Sequence, residues 1–173
     1  MKLKIKVKEI TEGCMPVIIE KGDWIDLRAA KTITLSAPQA GIQYQKDNNK
    51  FRDVTFSQEM IPLGVAIALP KGFEAELKGR SSLTKNYNVL MACSGVIDNS
   101  YRGNKDEWLF RVIALDNTTI NAGDRICQFR IQLSQKATMW QKIKWLFSSG
   151  VKLVKVDNLD ENNRGGFGSS GIR

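Results

Sequence analysis

Charged and apolar residues alternate from the start of the chain. In "MKLKIKVKEI" Leu3, Ile5 and Val7 share one side and Lys2, Lys4, Lys6 and Lys8 the other. That period of two is the signature of a strand with one buried face. The same alternation, or a short apolar run closed by turn residues, recurs at Val17–Glu20, Trp24–Ala29, Thr32–Leu35, Met60–Leu69 and Phe73–Lys78. It returns at Asn88–Ala92, Glu107–Leu115, Arg125–Gln132 and Val151–Val156. All of these segments predict strands. "LPKGFEA" places Pro70 and Gly72 between two of them, and "NAGDR" (Asn121–Arg125) precedes another; both predict tight turns. Many short strands with few helices predict an all-β fold: a sandwich, a jelly roll or a barrel.

Two stretches break the pattern. "GIQYQKDNNKFRD" (Gly41–Asp53) is polar and amide-rich and reads as a long mobile hairpin loop. In "ATMWQKIKWLFSSG" the apolar Met139, Trp140, Ile143, Leu146 and Phe147 fall on one helical face, and Gly150 supplies a stop. A short amphipathic helix is therefore expected over 138–149, with Trp145 off the apolar face and exposed. The tail "RGGFGSSGIR" is too rich in glycine to pack as an element. It reads as a closing flap or as a frayed terminus. The expected organisation is one β domain over 1–163, carrying the 41–53 loop and the helix as inserts, then a flexible glycine-rich segment over 164–173.

A chain of 173 residues can bury a single sizeable core. No apolar run approaches the roughly 18 residues of a membrane span, and the N-terminus lacks the apolar block of a signal peptide. Cys14, Cys93 and Cys127 form no CxxC pair, which fits reduced thiols in a cytoplasmic protein. There is no histidine. That removes Ser-His-Asp and Cys-His nucleophiles and leaves carboxylates, Tyr, Lys, Arg, hydroxyls and a hard cation such as Mg²⁺ to do any chemistry. The net charge of +8 favours an anionic partner, nucleic acid or a nucleoside triphosphate. No strand interleaves aromatic with basic residues as a single-strand binder would, so nucleic acid is not the expected partner.

The candidate chemistry sits in short motifs. "GRSSL" (Gly79–Leu83) offers an arginine fork and two hydroxyls at the start of a short helix, a site suited to phosphate oxygens or, equally, an ordinary serine N-cap. In "RICQFRI", Gln128 is the odd residue of a core strand, and a buried amide needs partners. "GVIDNSYRGN" (Gly95–Asn104) ends an apolar run in Asp98, either a turn aspartate or a catalytic acid, with Tyr101 close behind. Arg164 and Phe167, in the glycine tail, have no core reading.

Their order carries more than each motif does alone. "GDWIDLRA", "GRSSL", "GVIDNSYRGN", "GDRICQFRI" and "RGGFGSSG" resemble, in sequence, the five motifs of the trimeric deoxyuridine triphosphatases (dUTPases). The resemblance runs from Gly22 to Gly171 and looks closest to the short-tailed members of bacilli and their phages. It implies a distorted β jelly roll, a homotrimer with shared active sites, and hydrolysis of dUTP to dUMP and pyrophosphate. Asp98 matches the carboxylate that orients and deprotonates a water for in-line attack on the α-phosphorus. Tyr101 matches the ring under the sugar, which leaves no room for a 2′-hydroxyl. Gly95, Val96 and Ile97 match the hairpin backbone that reads uracil. Arg80, Ser81, Ser82 and Gln128 match phosphate contacts. Arg164 and the tail residues Gly166, Phe167, Gly168 and Ser169 match the γ-phosphate grip. The implied cofactor is Mg²⁺ on the phosphates, with Asp26 near it through water.

The match departs from the family pattern in three places. Asp23 and Trp24 precede Ile25-Asp26 where most members have Ala-Gly-x-Asp, and Ala92 stands where many bacterial members carry asparagine. Only Gly165 and Gly166 separate Arg164 from Phe167, so Trp108 or Phe110 is an alternative cover for the uracil. A dCTP deaminase of the same fold would need a glutamate on the strand after "GVIDNSYRGN", and "WLFRVIAL" has none. The rival from another class is a regulatory module that docks a protein partner through Gly41–Asp53 or the 138–148 helix.

Overall fold

The computed structural model describes residues 2–44 and 50–165. The alternating segments form β1 (Leu3–Glu9), β2 (Val17–Ile18), β3 (Ile25–Arg28), β4 (Ile33–Leu35), β5 (Gln39–Tyr44), β6 (Lys50–Thr55) and β7 (Gln58–Ala68). They continue as β8 (Phe73–Gly79), α1 (Leu83–Tyr87), β9 (Val89–Met91), β10 (Gly95–Ile97), β11 (Glu107–Ala114), β12 (Thr118–Ile120), β13 (Arg125–Leu133), α2 (Met139–Leu146) and β14 (Val151–Lys155).

Two five-stranded sheets, ordered β14-β1-β7-β11-β9 and β10-β8-β13-β3-β2, enclose the core. Alternate residues point inward: Leu3, Ile5 and Val7 from β1, Trp108, Phe110 and Val112 from β11, Phe73, Ala75 and Leu77 from β8. The two layers meet edge to face where Trp108 and Phe129 approach with ring centroids 5.0 Å apart, an arrangement favoured by the ring quadrupoles. β7 is buried on both sides from Val65 onward, because Leu159 and Val156 cover its outer residues Ala66 and Ala68. The chain after β14 is thereby laid across the first sheet. Both predicted turns form: Gly72 and Gly123 have positive φ, and the Phe73 and Asp124 amides close back on the Pro70 and Asn121 carbonyls. Cys14 and Cys127 are buried free thiols, and Cys93 is free and exposed. Among the described residues no helix is long and apolar enough to cross a membrane.

Two expectations need correction. The 41–53 stretch is the expected hairpin, but it is strand rather than loop along most of its length. β5 and β6 pair in antiparallel register from Gln39↔Thr55 to Tyr44↔Lys50, because backbone hydrogen bonds form a ribbon without any apolar period to announce it. Its tip, 45–49, lies outside the described residues. The 138–149 helix exists as α2, started by a capping box in which Thr138 and Gln141 bond reciprocally, but it packs the other way round. Trp145 turns inward, edge-on to Phe73 at 5.4 Å, and Gln141 lies over Gly72. Trp140 (80% exposed), Phe147 (75%), Leu146 and Met139 face out. The helical wheel groups the apolar residues correctly, but Phe73 and the bare Gly72 receive the opposite face.

Candidate active site

β10 is short, yet its position is fixed. It pairs with β8 in the register Gly95↔Leu77, Val96↔Glu76, Ile97↔Ala75, and a side chain at Gly95 would begin 3.0 Å from the Leu77 Cβ. Ile97 is buried in the core, so Asp98 is the first exposed residue off the strand. Its Oδ1 accepts the Ser100 N–H at 2.8 Å and the Ser100 hydroxyl at 2.7 Å, while its carbonyl accepts the Tyr101 N–H. This is an Asx-turn. The other oxygen, Oδ2, has no hydrogen bond among the described residues. The neighbouring Asn99 amide donates to the carbonyls of Pro70 and Phe73, each at 2.8 Å, and so bolts the loop to the β7–β8 turn. Tyr101 is half-buried, and its hydroxyl donates to the Glu107 carbonyl at 2.7 Å. Its ring orientation is therefore held at both ends.

Asp98 opens on a cleft of about 480 Å³ whose walls include Glu74, Ser100, Arg102, Lys136 and Gln141. The first turn of α2 thus forms part of this wall. The Ser100 N–H and hydroxyl hold the Asp98 carboxyl below the usual carboxylate range, and the positive charges of Arg164 and Lys136 push it the same way. Near neutral pH it is an anion in a cationic setting.

A second cluster lies at the far end of β8. Asp26 is 3% exposed and faces Arg80 Nε at 3.5 Å and Arg125 Nη1 at 3.2 Å. Arg80 also donates from Nη1 to the Arg125 carbonyl. Gln128 stands on β13 between Asp26 and Lys78. Ser82 occupies the N-cap position before α1, but its hydroxyl makes no capping bond. The N-cap reading of "GRSSL" therefore holds in position but not in bonding, and the Ser82 hydroxyl is not spent on the helix. From the Asp98 end of β8 to Arg80 is six residues of strand, about 20 Å. One chain does not bring the two clusters together.

The dUTPase family model matches residues 42–171. The chain belongs to the dUTPase family. It is 40% identical, over all of both chains, to the SPbeta prophage-derived deoxyuridine 5'-triphosphate nucleotidohydrolase YosS of Bacillus subtilis (strain 168). Among solved structures it resembles the dUTPase of Streptococcus mutans, with a TM-score of 0.58 at 19% identity, covering 73% of this chain and 91% of that one. It also resembles a variant dUTPase from phage phi11 of S. aureus, a structure described for its structural Mg(II) ion (TM-score 0.57, 17% identity, 78% and 94% covered). These likenesses place the chain in the dUTPase fold.

Within that family frame, the described residues gather the predicted site into two groups. Asp98, Tyr101 and Arg164 stand at one end of β8 and Arg80, Ser81, Ser82 and Asp26 at the other, while Ile97, Val96 and Gly95 run along β8 between them, Gly95 opposite Leu77 and Gln128 opposite the next residue, Lys78. Gly166, Phe167, Gly168 and Ser169 lie outside the described residues. Trp108 and Phe110 are wholly buried between the sheets, which removes both as covers for a base. Sequence reasoning missed Ser100, Lys136 and Arg125. The Asx-turn spacing in "DNS" could have found the first.

Proposed function

We infer that the protein hydrolyses dUTP to dUMP and pyrophosphate, with Asp98 as its catalytic residue. The observation that carries this is an ionised carboxylate, one oxygen pinned by Ser100 and the other free to accept, on a cleft edged by positive charge. Asp98 Oδ2 accepts a hydrogen bond from water and aims its lone pair at the α-phosphorus. As the new O–P bond forms, the bond from the α-phosphorus to the bridging oxygen breaks and pyrophosphate leaves. The water proton passes to Oδ2 and on to solvent. Because Asp98 is a weakened base, positioning and charge neutralisation supply most of the acceleration.

Tyr101 packs its fixed ring under the deoxyribose, and the β10 backbone at Gly95, Val96 and Ile97 reads uracil. Arg80, Ser81, Ser82 and Gln128 bind phosphate oxygens. Asp26 acts as the anchor that orients Arg80 and Arg125. Arg164, with the Gly166–Ser169 segment, grips the γ-phosphate. A homotrimer in which one subunit supplies the Asp98 group and another the Arg80 group completes a site that one chain holds about 20 Å apart.

Among the described residues there is no group of three or more carboxylates or thiols able to hold a metal, and Asp26 faces two guanidinium groups. This donor set fits a Mg²⁺ that arrives on the triphosphate rather than one caged by protein. When bound it supplies charge neutralisation across the phosphate oxygens.

The test is pyrophosphate release from dUTP, dCTP, dTTP, dATP and dGTP, with ammonia assayed for dCTP. Release confined to dUTP is expected. Ammonia from dCTP, or equal turnover of all five, would overturn the reading.

A further inference from the structure

We propose that Asp106 is a positioning residue that seats Arg164 beside Asp98 by clamping the start of the C-terminal segment to the catalytic loop. The role rests on the dUTP hydrolysis reading above.

Asp106 is 1% exposed and forms no salt bridge among the described residues. A buried carboxylate without a counter-ion is costly unless hydrogen bonds replace its hydration. Four backbone N–H groups do so here. Oδ2 accepts from Arg102 at 3.1 Å and Gly103 at 2.8 Å. Arg164 donates to both oxygens, at 3.0 and 3.2 Å, and Gly165 donates to Oδ1 at 3.2 Å. Two of these donors belong to the loop that carries Asp98 and Tyr101, and two to a segment 58 and 59 residues later in the chain. Both segments converge on one carboxylate, and an apolar residue of the same size could hold neither.

The surrounding contacts work to the same end. Asn163 Oδ1 accepts the Lys105 N–H at 2.8 Å, and Asn104 Oδ1 accepts the Leu159 N–H at 3.0 Å. Arg102, already bonded to Asn99 Oδ1, pairs with Glu161. The loop and the 158–165 segment are thus laced along their length, with Asp106 at the end nearest Arg164. The Arg164 guanidinium is close enough to Asp98 to help keep that carboxyl ionised. Neither Tyr101 nor Asp98 touches Asp106 through a side-chain hydrogen bond, so Asp106 acts through the backbone it fixes.

Asp106→Asn keeps the shape but turns an NH₂ group toward N–H donors. In the full-length protein, trypsin is expected to cut Arg164–Gly165 about 10-fold faster in this variant, relative to the Lys155–Val156 bond in the same digest. kcat/KM for dUTP should fall about 10- to 100-fold. In an Arg164→Ala background the same change should cost less than about 3-fold, because the group it positions is already gone. If Asp106→Asn does not fold, hydrogen exchange in the unaltered protein gives the answer: the Arg164 and Gly165 amides are expected to be protected. Unprotected amides, an unchanged cutting ratio, or equal losses with and without Arg164 would overturn the proposal. Absence of dUTP turnover in the unaltered protein would sink the hydrolysis reading instead, and the trypsin and exchange results would still report on the clamp.

Discussion

Gly103→Ala isolates how closely the catalytic loop and the C-terminal segment must approach. Gly103 does not have a positive φ, so alanine brings no backbone strain and only its methyl group matters. That Cβ would lie 2.5 Å from the Asn163 Cα, 2.6 Å from its N and 2.4 Å from its Oδ1. Ordinary contact begins near 3.4 Å, so the Asn163 backbone must retreat by about 1 Å. Overpacking of this kind costs about 1–3 kcal/mol, which for a chain of this size lowers Tm by roughly 2–10 °C. A displacement of about 1 Å at a catalytic group can cost about 100-fold in rate, and Arg164 is the next residue. The assay is a paired measurement of Tm and of kcat/KM for dUTP. Both should fall, and Asn163→Ala should not restore them, since it removes only the Oδ1 contact. An unaltered Tm with unaltered kcat/KM would refute the reasoning.

Other expectations follow from the same geometry. With Asp98 as the proposed catalytic residue, its carboxyl held below the usual range by Ser100, the acid limb of kcat/KM should fall below the ordinary aspartate value of about 3.9; Ser100→Ala removes one of the two lowering bonds and should move the limb upward. A limb that stays in place in a pH–rate profile would count against the Ser100 bond. Trp145→Ala should lower stability in urea by about 2 kcal/mol through loss of the Phe73 contact and half a buried indole, whereas Trp140→Ala should change it by less than about 0.5 kcal/mol. The reverse order would mean that α2 packs on its apolar face. Chelation by EDTA should abolish pyrophosphate release while leaving Tm unchanged, and a falling Tm would point to a structural metal held by the protein.

Much of this was legible in the sequence wherever a side of a strand is buried over several residues. β1, β8 and β11 announce themselves by alternation, and Pro70-Lys71-Gly72 and Ala122-Gly123 announce their turns. β10 showed only as a short apolar run before Asp98 and through the motif it belongs to, because three residues are too few to show a period; the β8 register and the close approach at Gly95 fix its place. α2 shows why periodicity finds a helix but not its orientation, which Gly72 and Phe73 decide from far back in the chain. Asp98 and Tyr101 stood out within a local motif. Asp106 did not, because its partners are backbone N–H groups that have no residue identity to read. The Asp26–Arg125 pair, 99 residues apart, leaves no trace in the local pattern either.

The most direct measurement is steady-state pyrophosphate release from dUTP by Asp98→Asn beside binding of a non-hydrolysable dUTP analogue. Asparagine keeps the shape and the Ser100 bonds to one oxygen but cannot take a proton or hold water as an anion does. Turnover should drop about 10²- to 10⁴-fold while analogue affinity stays within a few-fold. Turnover near that of the unaltered protein, with binding intact, would contradict the account at its centre.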